Sequence, residues 1–172
     1  MKDIPIYDKT AEYAREHGEI DVRRASYKEN IDCSKAISAA IRKNYSNNTL
    51  DTKAALKELT KGFSLERIAV VTAVSLRDKD WDGRISNDNK AWAKSVPFPR
   101  DFDDWGVDRN AACAVSEVHP GILNLFADAV RKELELTKTV PIKKPSLIEK
   151  INRPLPQTTD KSGKVKGQGL QL

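Results

Sequence analysis

Several things are scarce in these 172 residues, and each scarcity removes a class of function. There are two cysteines, Cys33 and Cys113, eighty residues apart. That excludes a disulfide scaffold, and without a Cys-x-x-Cys no zinc finger is readable. There are two histidines, so histidine-based catalysis has only His17 and His119 to draw on. No stretch approaches eighteen uninterrupted apolar residues, which argues against a membrane span. The start, Met1-Lys2-Asp3-Ile4-Pro5, lacks the apolar centre of a secretory signal. Nothing matches a phosphate loop, a dinucleotide fingerprint or a Ser-His-Asp order. The expectation is a cytoplasmic protein with no cofactor.

The net charge of +5 is unevenly placed. Residues 1–136 carry 22 Lys/Arg against 23 Asp/Glu, whereas residues 137–172 carry 8 against 2. The basic end also holds Pro141, Pro145, Pro154 and Pro156 and few large apolar residues, so it cannot bury enough surface to offset its ordering entropy. We expect a domain over 1–136 and a flexible tail over 137–172, with at most one short helix near Ser146–Asn152. Lys143, Lys144, Lys150, Arg153, Lys161, Lys164 and Lys166 would be its contacts to nucleic acid.

The body reads as helices. Apolar residues recur at spacings of three and four. A short helix capped by Asp8 or Thr10 ends at Gly18. A long one runs from Asp21 to about Tyr45, with a stripe of Val22, Ala25, Cys33, Ala36, Ile37, Ala40, Ile41 and Tyr45. Asn47-Asn48 breaks it. Asp51 caps Thr52–Lys61, stopped at Gly62, and Ser64 caps a helix to Arg77 that is apolar nearly all round and should be the centre of the core. Ser86 caps Asn87–Ser95, ended by Pro97. Residues 97–108 look irregular, and Asn110–Ser116 fits a helical turn or a strand. Pro120 opens a last helix to about Leu136. The predicted fold is mainly α, an irregular bundle of five to six helices with a disordered C-terminal tail.

Residues 78–108 stand apart. They hold all three tryptophans and eight aspartates, against five basic residues. Aromatics interleaved with carboxylates suit a recognition surface, and we expect Asp80, Trp81, Asp82, Arg84, Asn89, Trp92 and Trp105 to contact a partner. Asp78 to Asn89 also follows the spacing of an EF-hand loop, with carboxylates at positions one, three and five (Asp78, Asp80, Asp82) and Gly83 at the sixth. The twelfth position, normally a bidentate Glu, is the neutral Asn89. The loop should therefore be a tight turn whose Asp side chains cap backbone N–H groups, holding calcium weakly or not at all. If the chain is instead an enzyme, its candidate acid/base groups are His17 with Glu16, His119, and Glu29, a carboxylate on the apolar stripe of the long helix.

Six strings carry a family resemblance: Tyr13-Ala-Arg-Glu-His-Gly18-Glu19; Asn30 with Cys33 and Ala36-Ile37; Asn44-Tyr45 with Leu50-Asp51; Lys79 to Ser86; Asp88 to Ala93; and His119-Pro120-Gly121. Together they resemble the bacterial domain-of-unknown-function family 3849 over about residues 2–136. The family has no established activity, so no catalytic residue is implied. The resemblance does imply proteins of conjugative and other mobile elements of Firmicutes, and for this chain a small free-standing one. The expected function is a non-enzymatic interaction protein binding a protein or nucleoprotein, one form being an anti-defence (anti-CRISPR) inhibitor. The alternatives are a metal-dependent nuclease or other nucleic-acid-processing enzyme, and a structural module of a conjugation or replication complex. The oligomeric state stays open.

Overall fold

The computed structural model describes residues 4–77, 79–98, 113 and 115–139. They form a mainly helical fold of six helices, one further helical turn and a small hairpin. The expected tail from residue 140 onward, with the seven basic residues named as its contacts, lies outside the described residues, as do Asp78, Trp105 and most of the stretch expected to be irregular.

Local chemistry explains each boundary. Helix α1, Ala11–Glu16, is capped by Thr10, whose hydroxyl accepts the Tyr13 N–H. It ends in a Schellman motif. Gly18 adopts φ +70°, the Gly18 N–H bonds Arg15 O and the Glu19 N–H bonds Ala14 O at 2.8 Å. The chain re-enters helix at once as α2, Ile20–Lys43. Strands β1, Tyr45–Ser46, and β2, Thr49–Leu50, pair antiparallel across a two-residue loop. Asn47 and Asn48 both take positive φ (50° and 59°), the type I′ pattern that suits a tight hairpin. Asn-Asn thus does more than break the helix, and Tyr45 begins a strand rather than ending α2.

Asp51 caps α3, Thr52–Leu59, through a 2.9 Å bond from the Ala54 N–H. This helix stops two residues short of the expected end. Ser64 caps α4, Leu65–Arg77. Ser86 caps α5, Asn87–Ser95. Val115–Val118 is the single helical turn α6, and α7 runs Pro120–Thr139, three residues beyond the expected stop.

Helix α4 is buried at every position from Arg67 to Leu76 and packs against α2, α5 and α7. Ile37, Ile41, Leu123, Phe126 and Val130 close around its Ile68, Val71 and Leu76. Both cysteines lie in this core; burial pushes both thiols up, that of Cys113 to about 12, which leaves them inert.

One part of the sequence reading fails here. In the first half of α2 the buried face is not apolar. Val22 is 49% exposed, and Ala25 also faces solvent. Arg23, Ser26 and Asn30 point inward instead. Ser26 and Asn30 meet Arg67 of α4, only 1% exposed, which donates to Ser26 O at 3.1 Å, to Asn30 Oδ1 and to Ile4 O, while the Arg23 guanidinium lies over the Tyr27 ring. The Tyr7 N–H bonds Ser26 Oγ (2.8 Å) and the Tyr7 hydroxyl donates to Glu19 (2.9 Å). A buried polar network therefore fastens the N-terminal segment over α2 and α4, where the stripe argument expected hydrocarbon.

Candidate functional site

The segment with the unusual composition is a rigid turn between α4 and α5. Among the described residues its geometry follows from Asp80, Asp82, Arg84 and Arg77. Asp82 is 4% exposed. Its Oδ1 accepts the Arg84 N–H at 2.9 Å, an Asx-type closure of the turn at Gly83. The same carboxylate takes the Arg84 guanidinium through Nε (3.0 Å) and Nη2 (2.7 Å). These bonds, the guanidinium first, hold the Asp82 carboxyl down at about 2. Asp80 pairs with Lys94 of α5 at 3.0 Å. Ile85, 3% exposed, pins the turn to the core. Behind it, the Arg77 guanidinium donates to Ala93 O (2.7 Å), Phe98 O (3.0 Å) and Val96 O, closing the C-terminal end of α5.

Asn89 locks the other end. It is completely buried. Its amide N–H groups bond Asn124 O (3.1 Å), Asn124 Oδ1 (2.9 Å) and Asp128 Oδ1 (2.7 Å), and its carbonyl accepts from Arg131 at 3.0 Å. The Ser86 N–H also reaches Asn124 Oδ1 at 2.9 Å. Asn124, Asp128 and Arg131 stand at i, i+4 and i+7, one polar face of α7. Sequence reasoning missed this clamp, although a polar stripe beside the apolar one on α7 was its visible signal.

What the turn presents outward is Trp81, 76% exposed, with Lys79 Nζ 6.0 Å from its ring centroid. Arg84 flanks it, its side chain 62% exposed. The expected recognition residues thus divide. Trp81, Arg84 and Asp80 face solvent. Trp92 is half-buried against the core. Asp82 and Asn89 are internal, shaping the turn rather than touching what lies outside. The face is also less acidic than its composition suggested, because Asp80 and Asp82 are each matched by a cation; Asp78, Asp101, Asp103, Asp104 and Asp108 lie outside the described residues.

Among the described residues of the EF-hand-spaced loop the side chains diverge. Asp80 and Asp82 turn toward different cations, and Asn89 in the twelfth position faces α7. Among the described residues no cluster of three His, Cys, Asp or Glu side chains could hold a metal ion.

The enzyme candidates are scattered. The His17 Nδ1–H donates to Tyr13 O at 2.9 Å, and its ring stacks on Tyr13 at 3.8 Å. Glu16 is exposed beside it, and Glu29 sits half-buried in mid-α2. His119 joins α6 to α7 and lines a groove of about 240 Å³ with Ile41, Arg42, Tyr45, Val115, Val118 and Ile122. His17 precedes α2 while Ile41 is near its end, and that length of helix spans about 30 Å at 1.5 Å per residue. His17 and His119 therefore share no cleft.

The stability of the turn should depend on pH through Asp82. The folded carboxyl titrates near 2 against an ordinary 3.8, so its contribution is complete above about pH 4 and disappears as pH falls toward 2. Asp82→Asn should flatten that acid limb in urea titrations run at successive pH values, with little change in the slope above pH 5.

No curated protein and no solved structure matches this chain. A family model does, over residues 6–135: protein of unknown function, DUF3849. The resemblance read from the motifs is thereby established at the level of the domain, and the chain belongs to the DUF3849 family.

Proposed function

We propose that this chain is an interaction module that docks a protein or nucleoprotein partner through the Trp81 turn. The observation that carries this reading is the exposure of a tryptophan on a turn that is itself held rigid. An indole held out in water offers a large contact area with little ordering left to do on binding, which is the character of an interface anchor. The Asp82–Arg84 and Asp80–Lys94 pairs and the Asn89 clamp keep the turn in place without it.

A mobile genetic element is the setting we propose, carried by the family resemblance, with the cytoplasm as compartment. No described helix is long and apolar enough to cross a membrane. An anti-defence inhibitor is one form of the proposal; it would draw its acidity from the aspartates outside the described residues. The basic residues after 140 supply a further proposal, nucleic-acid contact by charge, which requires an affinity that falls steeply with salt.

Trp81→Ala should leave stability within about 0.5 kcal/mol of the parent, because the side chain is mostly in water. It should also abolish, or weaken at least tenfold, whatever partner co-purifies from the native host. Arg84→Ala should weaken capture too, with some loss of acid stability. Capture unchanged by Trp81→Ala would overturn the assignment of the turn. Magnesium-dependent cleavage of DNA or RNA by the purified chain would favour the nuclease alternative instead.

A further inference from the structure

The groove beside His119 is made by two stretches remote in sequence: the end of α2 with the start of β1, and α6 with the first turn of α7. Ile41, Val115, Val118 and Ile122 give it an apolar wall. Ile41 and Val115 belong to the core, Ile122 is half-buried, and Val118 is left 64% exposed. Arg42, Tyr45 and His119 supply its polar groups. None of these three side chains has a hydrogen bond or an ion pair among the described residues.

Other cations of the fold are engaged. Lys43, next to Arg42, is held by Glu58 at 2.9 Å, and the Arg77 and Arg84 guanidinium groups each have acceptors. A guanidinium, a phenol and an imidazole left to water around one strip of hydrocarbon have the composition of a small-molecule site, an apolar lining with a few convergent polar groups. The sign of its charge is fixed. No carboxylate lines the groove among the described residues, and Arg42 stays cationic at any working pH. The long helix α7 also starts beside it, so the positive end of that dipole adds to the guanidinium. Charge complementarity selects an anion, and the apolar wall selects one with a hydrocarbon body. The volume of about 240 Å³ falls below the roughly 300 Å³ at which sites for drug-sized ligands begin, so the body is one short branched chain or a single ring.

We infer that this groove binds a small free carboxylic acid of that kind. The carboxylate takes the Arg42 guanidinium, with the Tyr45 hydroxyl and a His119 ring N–H as further donors. The hydrocarbon lies along Ile41, Val118 and Ile122. The groove shares no lining residue with the Trp81 turn, so the two assignments are tested separately.

Titration calorimetry and amide NMR spectra of the full chain should show saturable binding of isocaproate and of phenylacetate, with Kd of about 1 mM or tighter. Acetate has the charge without the body, and isocaproamide the body without the charge. Each should bind at least about tenfold more weakly. Arg42→Ala should raise Kd for isocaproate at least about tenfold. Val118→Asp sets a carboxylate at the groove and should abolish binding. Both positions are exposed, so helical circular dichroism should stay unchanged in both variants. No saturable binding of either acid overturns the inference, as does binding that Arg42→Ala leaves unchanged or that isocaproamide matches. A short peptide ending in a free Leu carboxylate that binds about tenfold tighter than isocaproate overturns it too, and assigns the groove to chain ends.

Discussion

Replacing Arg67 by alanine should lower the unfolding free energy by about 3–5 kcal/mol, the largest single effect expected in this fold. Arg67 is the largest fully buried side chain. Its guanidinium serves Ser26 O, Asn30 Oδ1 and Ile4 O, so removal orphans buried acceptors on two separate elements and leaves a cavity between them. Each orphaned acceptor costs about 1–3 kcal/mol, and the cavity adds to that. Such a loss is a large part of a domain's usual 5–15 kcal/mol. Arg67→Lys should recover only part of it, because an ammonium cannot span acceptors that a planar fork reaches at once. Urea unfolding measures the total. Limited proteolysis distinguishes the mechanism: once the Ile4 carbonyl is released, cleavage before Tyr7 should accelerate well ahead of cleavage in the core. A loss below about 1 kcal/mol would mean that the polar network contributes little net stability.

The second large effect is a gain-of-ligand change that should fail. Asn89→Glu completes the acidic ligand set of the loop Asp78–Asn89 on paper. In the fold it inserts a longer, charged side chain into a fully buried site beside the Asp128 carboxylate. Arg131 offsets part of the charge, but the amide N–H groups that satisfied Asn124 and Asp128 are gone. The expected cost is about 2–4 kcal/mol, and millimolar calcium should not restore it. Thermal melts with calcium and with chelator decide the matter. A melting temperature raised by calcium in the variant, or a calcium response of Trp81 emission in the parent, would show that the loop closes on a cation.

These two residues also mark the boundary between what composition and periodicity convey and what they hide. The helical class, the order of the elements and most of their starts were legible, because an N-cap is a local event. Thr10, Asp51, Ser64 and Ser86 each accept the N–H three residues ahead, so their roles need no tertiary partner. The burial of α4 was legible for a similar reason: a helix apolar on all sides has nowhere else to go.

The residues expected to form one recognition surface divide between solvent and the interior. The spacing of Asp80, Asp82 and Gly83 announced a tight turn, and a tight turn exists. Which of its side chains face outward depends on α5 and α7, far along the chain, and so no local pattern could separate exposed Trp81 from buried Asn89. The stripe drawn along α2 erred by the same mechanism. Val22 and Ala25 share one face with Cys33 and Ile37 only approximately, and a single buried guanidinium on α4 takes Ser26 and Asn30 as its partners there.

Caps, helix order, the Gly18 stop and the centre of the core were written in the chain, since each rests on interactions within a few residues or on plain hydrophobic excess. The polar network around Arg67, the Asn89 clamp and the separation of His17 from His119 were decided by tertiary structure. Each depends on which helix faces lie together, and that is set by the joint packing of elements remote in sequence, where buried polar groups take whatever partners the packing brings within hydrogen-bond reach.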